Sequence, residues 1–326
     1  MSALIDIFKA MFFGGGIRKF NPAVDIPSLA GKVILVTGAN AGIGKQTAIE
    51  LAQHQPAEIW IGARNVQSGN EAASEIKAVA SPETIVNVVQ MDLSSLASVK
   101  TAAKQVVEKT DRMDILLLNA GMMAGPPGVT EDGYEKQFAT NFVGHALLLK
   151  LLTPNLLRAA QDPKGATEPR VVILSSAGHK ASVLPKEGID FSTLKTDQMH
   201  MGGMTKYCQS KLADAVYAAP IAKRYPQFTT VAINPGEVLT DLFNKGKDGG
   251  GRLMALLVAV VLPLIGKPVT EGCKNSLWSA TSSEVESGRF YDPIGKTGAE
   301  SENVKNGKLG ERLWEWTESE LNGHTL

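Results

Sequence analysis

Cysteine is nearly absent: Cys208 and Cys273 are the two in 326 residues. Neither has a second cysteine or a histidine at metal-ligand spacing, which excludes a zinc site and a disulfide-stapled scaffold. A single bridge between the two stays open, but reduced structural thiols in a cytosolic protein are the expectation. The histidines, His54, His145, His179, His200 and His324, form no ligand cluster. Each reads as a surface or hydrogen-bonded structural residue, and His179 alone lies near enough to a site motif to touch a substrate. Net charge is lacking too. Lys and Arg number 33 and Asp and Glu 33, so no field draws the chain to a polyanion, and no nucleic-acid partner is expected.

Long apolar runs are also missing. Leu253 to Gly266 is too short for a bilayer, which needs about 20 residues. The stretch Leu4 to Phe13 is interrupted by Asp6 and Lys9 and lacks a clean small-residue cleavage site, so it does not read as a secretory signal. Leu4, Ile5, Phe8, Met11 and Phe12 would share one helical face. Residues 1–30 therefore read as an arm packed on the domain or on a partner subunit in a homo-oligomer. Membrane contact, through this arm or through the later apolar run, is the other reading. The expected location is cytoplasmic, with membrane association as the variant.

What the chain does have is alternation. Apolar, β-branched runs at Val33–Thr37, Glu58–Gly62, Thr84–Met91, Asp114–Asn119, Arg170–Ser175 and Thr229–Ile233 predict strands, with a short seventh at Arg289–Asp292. Helical patterns fill 43–54, 66–80, 95–110, 131–159 and 203–224. Repeated βαβ units predict an α/β doubly wound parallel sheet, a Rossmann fold of about seven strands with helices on both faces. No linker interrupts it, so residues 31–300 read as one domain. Residues 240–268, flexible at Gly246–Gly251 and then apolar, read as a substrate lid. Residues 301–326 read as a tail with one helix around Trp314 and Trp316.

The first chemical motif is Thr37-Gly38-Ala39-Asn40-Ala41-Gly42-Ile43-Gly44-Lys45, which leaves the first strand and opens the first helix. Glycines there permit a sharp turn and close backbone approach to a pyrophosphate at the helix's positive end. The second lies after strand two. NAD-binding folds place a carboxylate there for the ribose 2′-hydroxyl, but this chain has Arg64 and no acid in 62–65. An arginine can pair a 2′-phosphate bidentately, and Lys45 adds charge, so NADP(H) is the expected cofactor.

The third motif is Tyr207 and Lys211, four apart and so on one helical face. A phenol with a pKa near 10 is a poor base at neutral pH, and a fixed ammonium brings it toward the working range. Ser176 follows the fifth strand, where such sheets present side chains to a ligand crevice. Ser175 would point to the opposite face.

Taken together, the glycine spacing, Asp92-Leu93, Asn119-Ala120-Gly121, Tyr207-Cys208-Gln209-Ser210-Lys211 and Asn234-Pro235-Gly236 with Val238 and Thr240 resemble the short-chain dehydrogenase/reductase family. Within it, the GANAGIGK, GARN and SSAGHK stretches resemble the retinol dehydrogenase and WW-domain oxidoreductase branch and fungal secondary-metabolism reductases. The resemblance implies that Tyr207, Lys211, Ser176 and Asn141 are catalytic, with Asn141 supporting a proton relay through water. It implies cofactor contacts at Gly38, Asn40, Gly42, Ile43, Gly44, Lys45, Arg64, Asp92 (to adenine) and Leu93. The implied set continues with Asn119, Ala120, Gly121, Tyr207, Lys211, Pro235, Gly236, Val238 and Thr240, the last on the nicotinamide amide.

The Ser176-to-Tyr207 interval exceeds that of the shortest family members, and its Phe191, Met199, Met201 and Met204 suit a substrate wall or ordinary packing. The expected reaction is hydride transfer between a nicotinamide and a hydrophobic ketone or aldehyde and its alcohol. An epimerase or dehydratase on the same scaffold, or a non-catalytic NADPH-binding sensor or scaffold, are the alternatives.

Overall fold

The central strands are largely apolar because helices cover both faces of the sheet. Val33–Thr37 (β1) and Ile115–Leu118 (β4) are buried at every residue. Side chains of β1 alternate between two cores, Val33 and Leu35 on one face, Ile34 and Val36 on the other. The computed structural model describes residues 19–123, 125–162, 168–236, 238 and 266–326. The apolar face of residues 4–12, Thr240 and nearly all of the expected lid lie outside the described residues.

The remaining strands are Glu58–Ala63 (β2), Ile85–Gln90 (β3), Arg170–Leu174 (β5), Thr229–Ile233 (β6) and Phe290–Tyr291 (β7). They form a seven-stranded sheet in the order β3-β2-β1-β4-β5-β6-β7, with every pairing parallel. The order reverses beside β1, which opens the crevice where such sheets bind ligands. Register brings the carboxyl ends of the central strands level: Thr37 pairs Gly62, and Gly62 pairs Val89.

One core packs Leu96–Lys109, Gly144–Gln161, Gly203–Arg224 and Lys308–Glu320 on the sheet through Val99, Val106, Leu148, Leu152, Leu212, Val216 and Leu313. The last of these helices thus belongs to the main core, not to a separate tail. The other core packs Gly42–Ala52, Val66–Val79 and Lys274–Thr281 through Ala48, Leu51, Ile76, Leu277 and Trp278.

One expected element differs. The pattern over 131–159 predicts a continuous helix, but the chain forms a turn at Lys136–Phe138, a π-turn at Ala139–Val143 and a helix only from Gly144. Gly144 allows the backbone to approach Leu93, since a Cβ there would overlap the Leu93 carbonyl. A π-turn widens the ladder and re-aims backbone groups, a distortion common beside functional sites. Asn141 lies inside it.

Candidate active site

The glycine turn begins where β1 ends. Gly38 and Gly42 adopt φ of +68° and +57°, a left-handed conformation that disfavours side chains. A Cβ on Gly38 would stand 3.0 Å from Ala120, and one on Gly44 would overlap the Asn119 amide and lie 2.8 Å from the Gly38 carbonyl. Small residues therefore let the turn press against the end of β4. The helix Gly42–Ala52 that follows starts at Ala41 without a side-chain cap, whereas Val66–Val79 and Leu96–Lys109 are capped by Asn65 and Ser95. Its uncapped N-terminus follows the end of β1 with no side-chain cap among the described residues, which fits the pyrophosphate of a dinucleotide.

Thr37 ties this turn to its neighbours. Its hydroxyl accepts from the backbone N–H of Asn119 at 2.9 Å and of Ala120 at 3.0 Å, while its carbonyl accepts from the Asn119 amide at 2.8 Å. The buried His145 ring completes the hub, with Nε2 2.9 Å from the Thr37 hydroxyl and Nδ1 2.8 Å from the Asn141 carbonyl. A carbonyl only accepts, so Nδ1 carries the proton and Nε2 accepts from Thr37. Burial pushes His145 down to about 3, which keeps the ring neutral. The sequence marks Thr37 only as the start of the glycine motif and His145 only as a surface or hydrogen-bonded residue; that the two meet becomes visible once β1 and the π-turn are brought together.

Arg64 stands exposed just beyond β2, with no side-chain partner among the described residues. Lys45 does have one: its Nζ bonds both carboxylate oxygens of Glu75 at 3.0 and 2.9 Å. Glu75 is 55% exposed, so this is a weak surface pair. Asp92 accepts from the Ser94 N–H at 2.9 Å and hydroxyl at 2.6 Å, and Leu93 is buried in the core. Val238 is also buried, packed where a Cβ on Gly272 would stand. Asn275, unremarkable in the sequence, donates to the Asn234 and Tyr291 carbonyls at 2.8 and 3.1 Å and so braces the Pro235-Gly236 turn.

At the ends of β4 and β5 the four residues expected to be catalytic converge. Asn141 holds both backbone groups of Met122, accepting at 2.7 Å and donating at 3.0 Å, and also donates to the Ser210 hydroxyl at 2.8 Å. A Cβ on Gly121 would lie 3.4 Å from Asn141 Oδ1 and 3.6 Å from Lys211 Nζ, so both side chains reach the strand end through the space glycine leaves. Lys211 Nζ donates to the Leu174 carbonyl at 2.7 Å and to Asp214 at 2.8 Å. Ser175, one residue beyond β5, is buried and donates to the Lys211 carbonyl at 2.6 Å. Ser176 caps the turn Ala177–Lys180 by accepting from the Gly178 N–H, and the Tyr207 ring packs against that turn, 3.5 Å from where a Cβ on Gly178 would stand.

Burial raises the Tyr207 phenol above its ordinary range, against the opposing pull of the Lys211 ammonium and the Ser176 hydroxyl. The ammonium alone was expected to bring it down. Desolvation outweighs that pull because the phenol is nearly enclosed and Asp214 shares the Lys211 charge.

Around Tyr207 sits a small apolar cluster of Met123, Ala181, Val183, Leu184, Met204 and Cys208. Of the long-interval residues offered as a substrate wall, Met204 joins this cluster. Phe191 packs on Trp316 with ring centroids 6.1 Å apart, and Met199 is 68% exposed. His179 is fully buried, with Nδ1 2.6 Å from the Ser176 carbonyl and Nε2 accepting from Ser301, so it braces the turn rather than meeting a substrate. Cys208 and Cys273 are free and buried.

The short chain dehydrogenase family model matches residues 32–184. A short-chain dehydrogenase/reductase of Aspergillus calidoustus is 36% identical over 316 residues, covering 92% of this chain and 97% of that protein. Retinol dehydrogenase 12 of Homo sapiens is 35% identical over 307 residues, with 93% and 89% covered. Among solved structures, an uncharacterised protein of Mycobacterium paratuberculosis aligns with a TM-score of 0.69 at 26% identity, covering 93% of this chain and 97% of that one.

Proposed function

Since the chain belongs to the short-chain dehydrogenase/reductase family, we propose that it is an NADP(H)-dependent oxidoreductase that interconverts a hydrophobic ketone or aldehyde and its alcohol. The observation that carries this reading is the gathering at the sheet's carboxyl edge of Lys211 and Asn141 against Gly121 and of the Tyr207 ring against the turn that Ser176 caps, beside an uncapped glycine-rich helix start and an apolar cluster. The reduced dinucleotide, when bound, supplies the hydride.

The chain's own residues do the rest. Gly38, Asn40, Gly42, Ile43 and Gly44 hold the pyrophosphate at the helix start. Arg64, with Lys45 drawn from its exposed partner, holds the 2′-phosphate. Asp92 and Leu93 flank the adenine, and Asn119, Ala120 and Gly121 line the pocket. Pro235, Gly236, Val238 and Thr240 bound the nicotinamide. Ser176 hydrogen-bonds the substrate oxygen, and Tyr207 gives that oxygen its proton in reduction or takes it back in oxidation. Lys211 biases the phenol electrostatically, and Asn141 fixes the strand end on which both depend.

The apolar surroundings of Tyr207 suit a hydrophobic carbonyl, and retinol dehydrogenase 12 is by name an enzyme of an apolar alcohol. The test is NADPH oxidation, followed at the nicotinamide absorbance, with a panel of apolar aldehydes and ketones. Stoichiometric alcohol formation is the expected result. Product formation without net NADPH consumption would instead mark an epimerase or dehydratase.

A further inference from the structure

Three residues beyond Lys211, Asp214 lies 1% exposed on the same helix. Its Oδ2 accepts from Lys211 Nζ at 2.8 Å, while Oδ1 is buried and meets no hydrogen-bond donor among the described residues. A half-satisfied buried carboxylate is unfavourable for stability, where an apolar residue of similar size would pack at no such cost. Such locally unfavourable groups are retained where they act on function. Asp214 does not reach the crevice itself. It acts on Lys211, whose ammonium is held between Asp214 and the Leu174 carbonyl at 2.7 Å. Two of three N–H donors are thereby fixed by the protein. Burial pushes the Asp214 carboxyl up to about 7 against the pull of Lys211, so its negative charge is complete only above neutral pH, in the range where a phenol titrates.

We propose that Asp214 is a positioning residue that anchors the Lys211 ammonium and offsets its charge, so that the ammonium pulls less strongly on the Tyr207 proton. This rests on the reading of Tyr207 as the proton donor. The sign follows from electrostatics. A bare ammonium favours phenolate, while an ammonium–carboxylate pair presents a dipole and favours it less.

Among the described residues few other groups intervene. Lys206, buried next to Tyr207 on the same helix, donates to the Asp197 carbonyl. Cys208 on the same helix is pushed up to about 12 by burial and His145 down to about 3, so both are neutral at pH 7. Strands β5 and β6 present one ionisable side chain, Arg170, at the opposite end of β5. On the turn after β5, His179 is held neutral at about 4 and Lys180 pairs Asp292. Glu135 before the π-turn caps the Phe138 N–H, and Lys136 beside it reaches toward Gly128. On Lys308–Glu320 and the turn before it, Glu311, Arg312, Glu318 and Glu320 pair outward with Arg224, Glu187, Lys150 and Lys195, and Lys305 pairs Glu302.

The test titrates tyrosinate absorbance in the full-length, cofactor-free protein. Parent and Asp214→Asn are each compared with the same chain carrying Tyr207→Phe, so that the difference isolates one of the five tyrosines. Asparagine keeps the acceptor oxygen and removes the charge. The Tyr207 midpoint is expected to fall by roughly one to two pH units, the size of a unit charge acting across a few Å at an effective dielectric of about 20. The high-pH limb of kcat for NADPH-driven reduction should move down in parallel. If Asp214→Asn does not fold, Asp214→Ser, neutral and smaller, should shift the midpoint the same way. An unchanged or raised midpoint overturns the inference. A parent that titrates as expected yet oxidises no NADPH with any carbonyl overturns the functional reading and leaves this one standing.

Discussion

The two halves of the crevice are built from different material. The glycine-turn half, from Gly38 to Gly44 with Arg64 beyond β2, is backbone: positive φ, close approach and a helix start without a side-chain cap, with its charges at the surface. The half around Tyr207 is side chain: a phenol, an ammonium and a carboxylate buried within two turns of one helix and wired to strand ends. A dinucleotide is long and polyanionic, so exposed N–H groups and cations suffice to hold it. Proton transfer needs a tuned phenol, and tuning needs burial.

The largest break in that comparison is on the buried side. Tyr207→Phe should lower turnover by about 10²–10⁴-fold, the usual contribution of a general acid, while the NADPH Kd stays within about twofold. Kinetics and a fluorescence titration of NADPH measure the two separately, and parent-like turnover would remove Tyr207 from the mechanism.

Acid should also act through the buried half. His145 and His179 sit neutral, held down to about 3 and about 4 by burial. In the unfolded chain they bind protons below about 6.5, so their stability contribution is complete above that pH and declines as pH falls toward the folded values. Each ring then costs up to about 1.4 kcal/mol per pH unit, read as a falling Tm between pH 7 and 5. In His145→Gln the decline should be shallower; an identical slope would mean that the ring protonates without cost.

On the backbone side the effects are smaller and fall on binding. Gly44→Ala must displace Asn119 or the Gly38 carbonyl, which should cost about 1–3 kcal/mol and appear as a lower Tm and weaker NADPH binding. Strain confined to cofactor affinity, with Tm unchanged, would show that the turn gives way locally. Arg64→Asp should weaken NADPH by about tenfold to a hundredfold and NADH far less, as for the loss of a charge-assisted hydrogen bond. Equal losses would remove the 2′-phosphate from the proposal.

Legibility followed the same division. β1 and β6 match the residues expected from the sequence, and the glycine turn falls where the strand-turn-helix spacing puts it. These are local facts, since a run buried on both faces must be apolar and a left-handed turn must be glycine. The helix expected over 131–159 was broken by a π-turn, because the apolar spacing is nearly the same for both ladders and Gly144 marks only a close approach. His179 is the hydrogen-bonded structural residue that the sequence favours, and its nearness to Ser176 along the chain brings no substrate contact, because its ring turns inward to the Ser176 carbonyl and packs 4.5 Å from Phe290. Asp214 passed unnoticed, because a charged residue three beyond a lysine reads as a solvated helix pair until the helix is seen to be enclosed.

By itself the sequence determined the alternation of strand and helix, the parallel sheet, the glycine turn and the placing of a tyrosine and a lysine on one helical face. Each of these follows from periodicity or backbone conformation, which neighbours along the chain dictate. Only the tertiary structure decided what charge that tyrosine experiences. That depends on how deeply Gly203–Arg224 is buried and on which distant groups, the Leu174 carbonyl, Asn141 and Asp214, meet the ammonium. Electrostatic energy is set by distance and desolvation in space, and neither can be read from order along a chain.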